Sequence, residues 1–168
     1  GAQANAYTTR DYTVYYEDIP STLLETTILM EAKRLAQLSL DEKTLQTEKQ
    51  IVLEERRLRV DSSPGGLLEE ALWQLAYRRH PYRQPVAGYP QEIPHLTVES
   101  LRSFHKQHYQ PGNALLVIAG DFDPWKAFDL IHRHYSRIPG HKPPRKEFPV
   151  EPEQNGERRA EFQDEVAS

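Results

Sequence analysis

The order of strand-type and helix-type segments is the feature that most restricts the fold of this chain. Residues 1–17 are first small and then rich in Thr, Tyr and Val, which predicts two strands joined by a turn near residues 9–11. The segment NALLVIAG, residues 113–120, is an apolar run of strand length and predicts a buried strand. Helical periodicity, with caps and breaks at its ends, predicts helices over residues 22–38, 41–60, 67–79, 97–108 and 124–137.

The composition changes near residue 138. Residues 139–160 hold five prolines and many charges but few large apolar side chains, which predicts a linker. We therefore predict one packed domain over residues 1–138, a linker over 139–160, and the start of a further strand in 161–168. Both ends of the sequence read as interrupted strands, so we expect the chain to be a piece of a longer protein.

Composition also excludes several kinds of site and partner. The chain has no cysteine, which excludes a disulfide framework, a thiolate zinc site and a thiol nucleophile. Its 21 basic and 25 acidic residues give a net charge of −4, which argues against nucleic acid as the main partner. No apolar run approaches the roughly 18 residues of a transmembrane helix, so we expect no membrane partner.

The segment DEKTLQTEKQIVLEERRLRV, residues 41–60, carries the most informative side chains. At about 100° per residue, Glu48 and Glu55 lie about 20° apart on one helix face. Apolar residues flank this direction on both sides, which predicts that the two glutamates sit near the centre of a buried stripe. A buried, unpaired carboxylate costs several kcal/mol, so each glutamate would need a cation, a donor or a metal.

The periodicity alone leaves two interpretations of these glutamates open. Arg59 follows Glu55 by four residues and could form an ordinary helix ion pair with it. Alternatively, the glutamates have a catalytic or metal-binding role. A catalytic zinc ion needs three protein ligands. Only His105 and His108 have a suitable spacing for one helix face, and a packed surface pair explains that spacing more simply.

The first strand has a second notable feature, its small side chains. Ala2, Ala4 and Ala6 are small and Asn5 is short and polar, so another backbone can approach this strand closely. Such an edge suits an extended peptide that adds to the sheet as a further strand. Packing of these residues under a helix explains them equally well.

Three segments together resemble the M16 family of metallopeptidases, which includes insulinase-like enzymes, mitochondrial processing peptidases and short bacterial relatives. GAQANAYTTRDYTVYY, residues 1–16, resembles the strand pair that follows the family's zinc-binding helix. EKQIVLEERR, residues 48–57, resembles the third-ligand helix with its two glutamates seven residues apart. FHKQHYQPGNALLVIAGDFD, residues 104–123, is similar to the later helix-to-strand segment. The resemblance implies an α+β fold, an antiparallel sheet with helices packed on one face.

The resemblance also implies site residues, carried over position by position. Glu55 matches the zinc ligand, and Glu48 matches the carboxylate that supports the zinc site and is needed for activity, so Glu48 is predicted to be catalytic. Asn5 and Ala6 match the edge-strand residues that bind the substrate backbone. The implied cofactor is Zn²⁺. The implied partners are a peptide or protein substrate and a second M16 domain or subunit that closes on it.

One departure from the family pattern is large. The inverted zinc motif HxxEH, which supplies two histidine ligands and the glutamate that activates water, is absent from the 168 residues. The family's spacing would place it about 22 residues before Gly1. We therefore expect a zinc endopeptidase as the parent protein, and we expect that this chain alone neither binds zinc tightly nor cleaves peptides.

Two rival functions and two further expectations complete the interpretation. A non-catalytic M16-like scaffold or peptide-binding subunit would lack the motif altogether, and an unrelated α+β binding module would only mimic the helix pattern. Loss of the first strand and catalytic helix would expose apolar surface, so we expect self-association, exchanged elements or a retained cleaved piece. Short bacterial relatives are often exported, which favours the bacterial periplasm.

Overall fold

The computed structural model describes residues 2–141 and 147–161. This part of the chain contains one antiparallel pair of strands and five α-helices, with short 3-10 turns between them. The strands are β1 (Gln3–Thr8) and β2 (Thr13–Asp18). The helices are α1 (Leu24–Ala36), α2 (Glu42–Arg56), α3 (Pro64–Ala76), α4 (Val98–His108) and α5 (Pro124–Tyr135). None of the described helices is both long and apolar enough to cross a membrane.

These elements belong to two compact units, and each unit is described by itself. The first unit combines Gly1–Leu40 with Val98–Arg145, so it contains β1, β2, α1, α4 and α5. The second unit combines Asp41–Thr97 with Lys146–Ser168 and contains α2 and α3. Each unit is therefore built from two separate stretches of sequence. The predicted domain boundaries at residues 138 and 160 stay predictions.

A tight turn joins β1 to β2 in the first unit, with Thr8 opposite Thr13 at its base. The Thr9 N–H donates to the Tyr12 carbonyl at 2.8 Å, and the Thr9 hydroxyl accepts the Tyr12 N–H at 3.2 Å. Threonine hydroxyls stabilise turns in this way by replacing backbone partners. The two predicted strands and the turn between them are confirmed.

Helices α1 and α5 pack on each other in the first unit and bury Ile28, Ala32 and Ala127. Helix α5 begins at Asp123, whose carboxylate accepts the Trp125 N–H at 2.9 Å. Such a cap satisfies a donor that has no partner inside the helix. Both helices end within two residues of their predicted limits.

Caps also define the helices of the second unit. The Asp41 carboxylate accepts the Thr44 N–H at 2.8 Å and starts α2, as predicted. A five-residue π-helical turn, Arg57–Asp61, follows α2. The Ser63 hydroxyl then accepts the Gly66 N–H at 3.2 Å and starts α3.

Gly66 lies where α3 meets the turn that follows α2. A Cβ atom on Gly66 would overlap the Arg59 carbonyl oxygen and lie 2.8 Å from the Val60 Cα. Both neighbours are backbone atoms, which cannot rotate away as a side chain can. Only glycine therefore fits at this position.

Residues 114–119 differ from the prediction of a buried strand. They are extended but form no strand within residues 2–141 and 147–161, and Leu115 is 89% exposed. A strand needs a neighbour that satisfies its backbone groups. The sheet of the described residues contains only β1 and β2. The prediction of a buried strand is therefore wrong here, and the predicted strand start in 161–168 lies outside the described residues apart from Glu161.

The described part of the predicted linker, residues 147–161, is fixed to the end of α3. The Glu151 carboxylate accepts the N–H groups of residues 78–80 at 2.6, 2.8 and 2.9 Å. The Arg158 guanidinium donates to the carbonyls of residues 75–76, each at 2.9 Å. Desolvation opposes ionisation of Glu151, but the three N–H donors outweigh it and lower its pKa to about 2.

Glu151→Gln should release residues 147–161 from α3, because a neutral amide accepts these N–H bonds less strongly than a carboxylate. We expect limited proteolysis to cut this segment several-fold faster than in the wild type. Glu153→Gln changes an exposed glutamate of the same segment and should leave the rate unchanged. In the wild type, the anchoring should be complete above about pH 4.5 and lost as the pH falls toward about 2. Equal cleavage rates for the two variants would contradict the anchoring.

Candidate active-site helix and edge strand

The inward face of α2 carries two cations. Lys49 and Arg56 are only 7% and 4% exposed and lie beside the buried Leu45. The Lys49 ammonium donates to the Pro94 carbonyl at 3.0 Å, and the Arg56 guanidinium donates to the Gly88 carbonyl at 2.9 Å. The long aliphatic stems fill the interior while the charged ends reach oxygen acceptors.

Arg56 also connects α2 to α3. Its second guanidinium nitrogen lies 2.9 Å from a Glu70 carboxylate oxygen and 3.3 Å from one of Asp61. Because a buried charge is tolerated only when it is paired, this cluster fixes the rotation of α2 about its own axis. The face opposite Arg56 must consequently point outward.

Glu48 and Glu55 lie on that outer face and not in a buried stripe. Both glutamates are exposed, as are Ile51 and Leu58, which periodicity places beside them in the interior. The prediction of their burial is therefore wrong. The physical reason is that a cation, Arg56, takes the inward position that periodicity assigns to apolar residues.

Arg59 forms the helix ion pair with Glu55 that the sequence offers as one interpretation. The guanidinium lies 2.9 Å from the carboxylate, and both side chains are exposed. Exposed pairs of this kind contribute little to stability because water and salt screen them. The Glu55 carboxylate is therefore accessible and is held by a partner that another cation could replace.

The described residues do not form a complete zinc site. Glu48 and Glu55 lie about two turns apart on α2. Within residues 2–141 and 147–161, no three His, Asp or Glu side chains gather closely enough to hold a metal ion. His105 and His108 instead pack against aromatic rings, with centroid distances of 4.9 and 4.5 Å. A site with three protein ligands would need ligands besides Glu55.

The outer edge of β1 has no strand beside it in the described part of the chain. The Thr9 N–H bonds across the turn, so the alternation of an antiparallel pair makes Thr8, Ala6 and Ala4 positions without bonds to β2. The backbone N–H and C=O groups of these three residues therefore point outward. They are the groups that an added strand would use.

Asn5 and Ala6, the predicted substrate-binding residues, lie together on this edge. The Asn5 Oδ1 atom accepts the Ala6 N–H at 2.8 Å, and both residues are exposed. The side chain thus provides the acceptor that a neighbouring strand would otherwise provide. The structure brings together Asn5 with Ala6 in the first unit and Glu48 with Glu55 in the second unit.

A carboxyl pair between β2 and α1 is absent from the sequence-based site. Glu17 on β2 and Glu31 on α1 both contact the Arg34 guanidinium, at 3.6 and 3.1 Å. Burial and a hydrogen bond with Glu17 raise the pKa of Glu31 to about 7. One cation cannot fully offset two buried carboxylates, so the pair retains a proton up to neutral pH. The i,i+3 spacing of Glu31 and Arg34 signals one half of this cluster, and nothing local signals Glu17.

Two family models match successive parts of the chain. The model described as "Insulinase (Peptidase family M16)" matches residues 1–89, which is more than half of the chain. The model described as "Peptidase M16 inactive domain" matches residues 95–167. The change from one model to the other therefore falls between residues 89 and 95.

Named proteins and solved structures are similar to most of the chain. Zinc protease PqqE of Helicobacter pylori is 33% identical over 162 residues, which is 95% of this chain and 36% of that protein. The crystal structure of a protease from Helicobacter pylori has a TM-score of 0.84 at 33% identity, over 94% of this chain and 38% of that one. The periplasmic protease PqqL from Escherichia coli has a TM-score of 0.77 at 21% identity, over 88% and 17%, which is a likeness of fold alone.

These likenesses confirm the predicted α+β fold class. The chain spans about a third of the length of the curated relatives that it matches.

The stability of the first unit should decrease as the pH rises from about 4.5 through about 7. Native Glu31 binds its proton up to a pKa of about 7, against 4.5 for an ordinary glutamate, so the native state holds more protons in that window. In Glu31→Gln, the thermal midpoint should vary less between about pH 5 and 8 than in the wild type. Glu25→Gln, which changes an exposed glutamate of α1, should retain the wild-type slope. An unaltered slope in Glu31→Gln would count against the shared proton.

Arg56→Ala should lower the free energy of unfolding by about 3 kcal/mol, because it leaves Glu70 mostly buried without its cation. Arg59→Ala removes the exposed partner of Glu55 and should cost less than about 0.5 kcal/mol. Urea unfolding followed by circular dichroism compares the two variants. Losses of similar size would show that Arg56 does not fix α2 as described.

Proposed function

This chain belongs to the M16 family of peptidases, and we propose that it forms part of a zinc-dependent metalloendopeptidase that cleaves extended peptides. The observation that carries the proposal is the outer face of α2. It presents Glu48 and Glu55 in the open, between the exposed apolar side chains of Ile51 and Leu58. Relatives named as zinc proteases support the reaction class.

In this proposal, Glu55 is one zinc ligand and Glu48 is the carboxylate that supports the site. Glu55 is suited to this role because its present partner, Arg59, is exposed and easily displaced. The other ligands would come from a segment with the HxxEH pattern outside the 168 residues. Burial of Ile51 and Leu58 against that segment would contribute to its binding.

The role of β1 in the proposal is to align the substrate. A peptide that adds antiparallel to the outer edge would exchange N–H···O bonds with Ala6. Asn5 would then release the Ala6 N–H to a peptide carbonyl and free its own amide for the substrate. Because these bonds use only backbone groups, they orient a peptide of any sequence.

A second candidate function is a non-catalytic M16-like scaffold or peptide-binding subunit. The match of residues 95–167 to the model described as an inactive domain favours it, as does the lack of HxxEH in the 168 residues. The coding sequence upstream of Gly1 separates the two functions. A motif about 22 residues upstream supports the peptidase, and a degraded motif supports the scaffold. Family membership excludes the unrelated binding module.

We also propose a second M16 domain or subunit as partner and the bacterial periplasm as location. The short share of its relatives that this chain spans supports the first proposal. The description of Escherichia coli PqqL as periplasmic supports the second. Self-association of the 168-residue chain stays a prediction.

Glu55→Gln in the full-length protein should abolish stoichiometric zinc and lower the cleavage of a quenched fluorescent peptide by about 100-fold or more, because a ligand is lost. Glu48→Gln should retain most of the zinc but lower cleavage by about 10- to 100-fold. Glu54→Gln is the matched control, since Glu54 is the exposed neighbour that pairs with Arg57. It should change neither zinc content nor cleavage.

Metal analysis and peptide cleavage of the 168-residue chain alone complete this test. We expect no tightly bound zinc and no cleavage, because the described residues form no three-ligand group. Chelator-sensitive cleavage by the chain alone, or full activity in Glu55→Gln, would refute the proposed role of Glu55.

A further inference from the structure

The two faces of the β1–β2 hairpin carry different side chains. Ala4 and Ala6 share one face with Tyr15 and Glu17, because antiparallel partners point to the same side. This face packs on its own unit, since the Tyr15 hydroxyl bonds to that of Tyr109 at 2.9 Å. Asn5 and Tyr7 belong to the opposite face.

Exposed tyrosines form a cluster on that opposite face. Tyr7, Tyr12 and Tyr16 are 50%, 56% and 48% exposed. The ring of Tyr7 lies 6.4 Å from each of the other two rings, edge-on to Tyr12 and tilted against Tyr16. Such contacts favour a defined ring orientation, so Tyr7 is held in place from two sides.

The alternation along β1 places Tyr7 next to any strand that adds to the outer edge. Ala6 and Thr8 would exchange both backbone bonds with that strand, so Tyr7 between them takes a position without such bonds. Side chains approach each other most closely at positions of this kind, with Cα atoms about 4.5 Å apart. The peptide side chain opposite Tyr7 would therefore contact its ring.

We propose that Tyr7 determines specificity for a large apolar side chain, aromatic or aliphatic, in the peptide that adds to β1. This inference rests on the proposed role of β1 in substrate binding. The neighbours of Tyr7 on its face are Asn5 and Val14, which carry no charge. A charged peptide side chain placed there would lose water without gaining a partner, whereas an apolar one would gain contact with the ring. The small Ala4 and Ala6 exert no comparable selection on the other face.

Fluorescence anisotropy of the 168-residue chain with two labelled ten-residue peptides tests this inference. Both peptides consist of Ser, Thr and Lys, and one of them has a single Phe near its centre. The peptide can slide along the edge until its Phe lies opposite Tyr7, so the pairing register need not be known. We expect the wild type to bind the Phe peptide about 5-fold more tightly than the Ser peptide.

Tyr7→Thr should remove this preference and leave the Kd of the Ser peptide unchanged, because Thr retains strand propensity. Tyr7→Phe retains the ring and should restore the preference. Equal affinities for the two peptides in the wild type, or an unchanged preference in Tyr7→Thr, would overturn the inference and leave strand addition intact. Absence of binding by either peptide would overturn strand addition as well, and the zinc and cleavage measurements would then judge the peptidase separately.

Discussion

The buried guanidinium of Arg56 determines how the second unit presents itself. It binds the Gly88 carbonyl and the Glu70 and Asp61 carboxylates, so one side chain joins α2, the turn after it, α3 and the loop at residue 88. A buried cation cannot leave such partners without a large loss of free energy. The rotation of α2 is therefore fixed, and Glu48 and Glu55 point outward as a consequence of a side chain on the opposite face.

The first unit depends on a different balance, between an open edge and a closed face. One face of the hairpin is bound to α1 and the segment after α4 through Tyr15 and Glu17. The outer edge of β1 keeps its backbone groups turned away from β2, with only the Asn5 side chain satisfying one of them. An unpaired edge normally invites association. A family that binds extended peptides has a use for that property.

Most helices and the hairpin were predictable because their signals are local. The Asp41 and Asp123 caps, for example, act within three residues of the helix ends that they set. The prediction failed where the outcome depends on distant neighbours. Residues 114–119 have the composition of a buried strand but no partner strand in the described part, and Arg56 reverses the burial of the α2 faces. The site residues came from family resemblance, since no local spacing distinguishes a ligand glutamate from an ion-paired one.

The contact at Gly66 has a mechanical consequence. Helix α3 meets the backbone of Arg59 and Val60 directly, with no side chain of residue 66 between them. A side chain at such a contact can change rotamer and absorb a small displacement, whereas two touching backbones cannot. Helix α3 and the end of α2 should therefore act as a single lever, and any force on α3 would reach the turn beside Glu55 without loss.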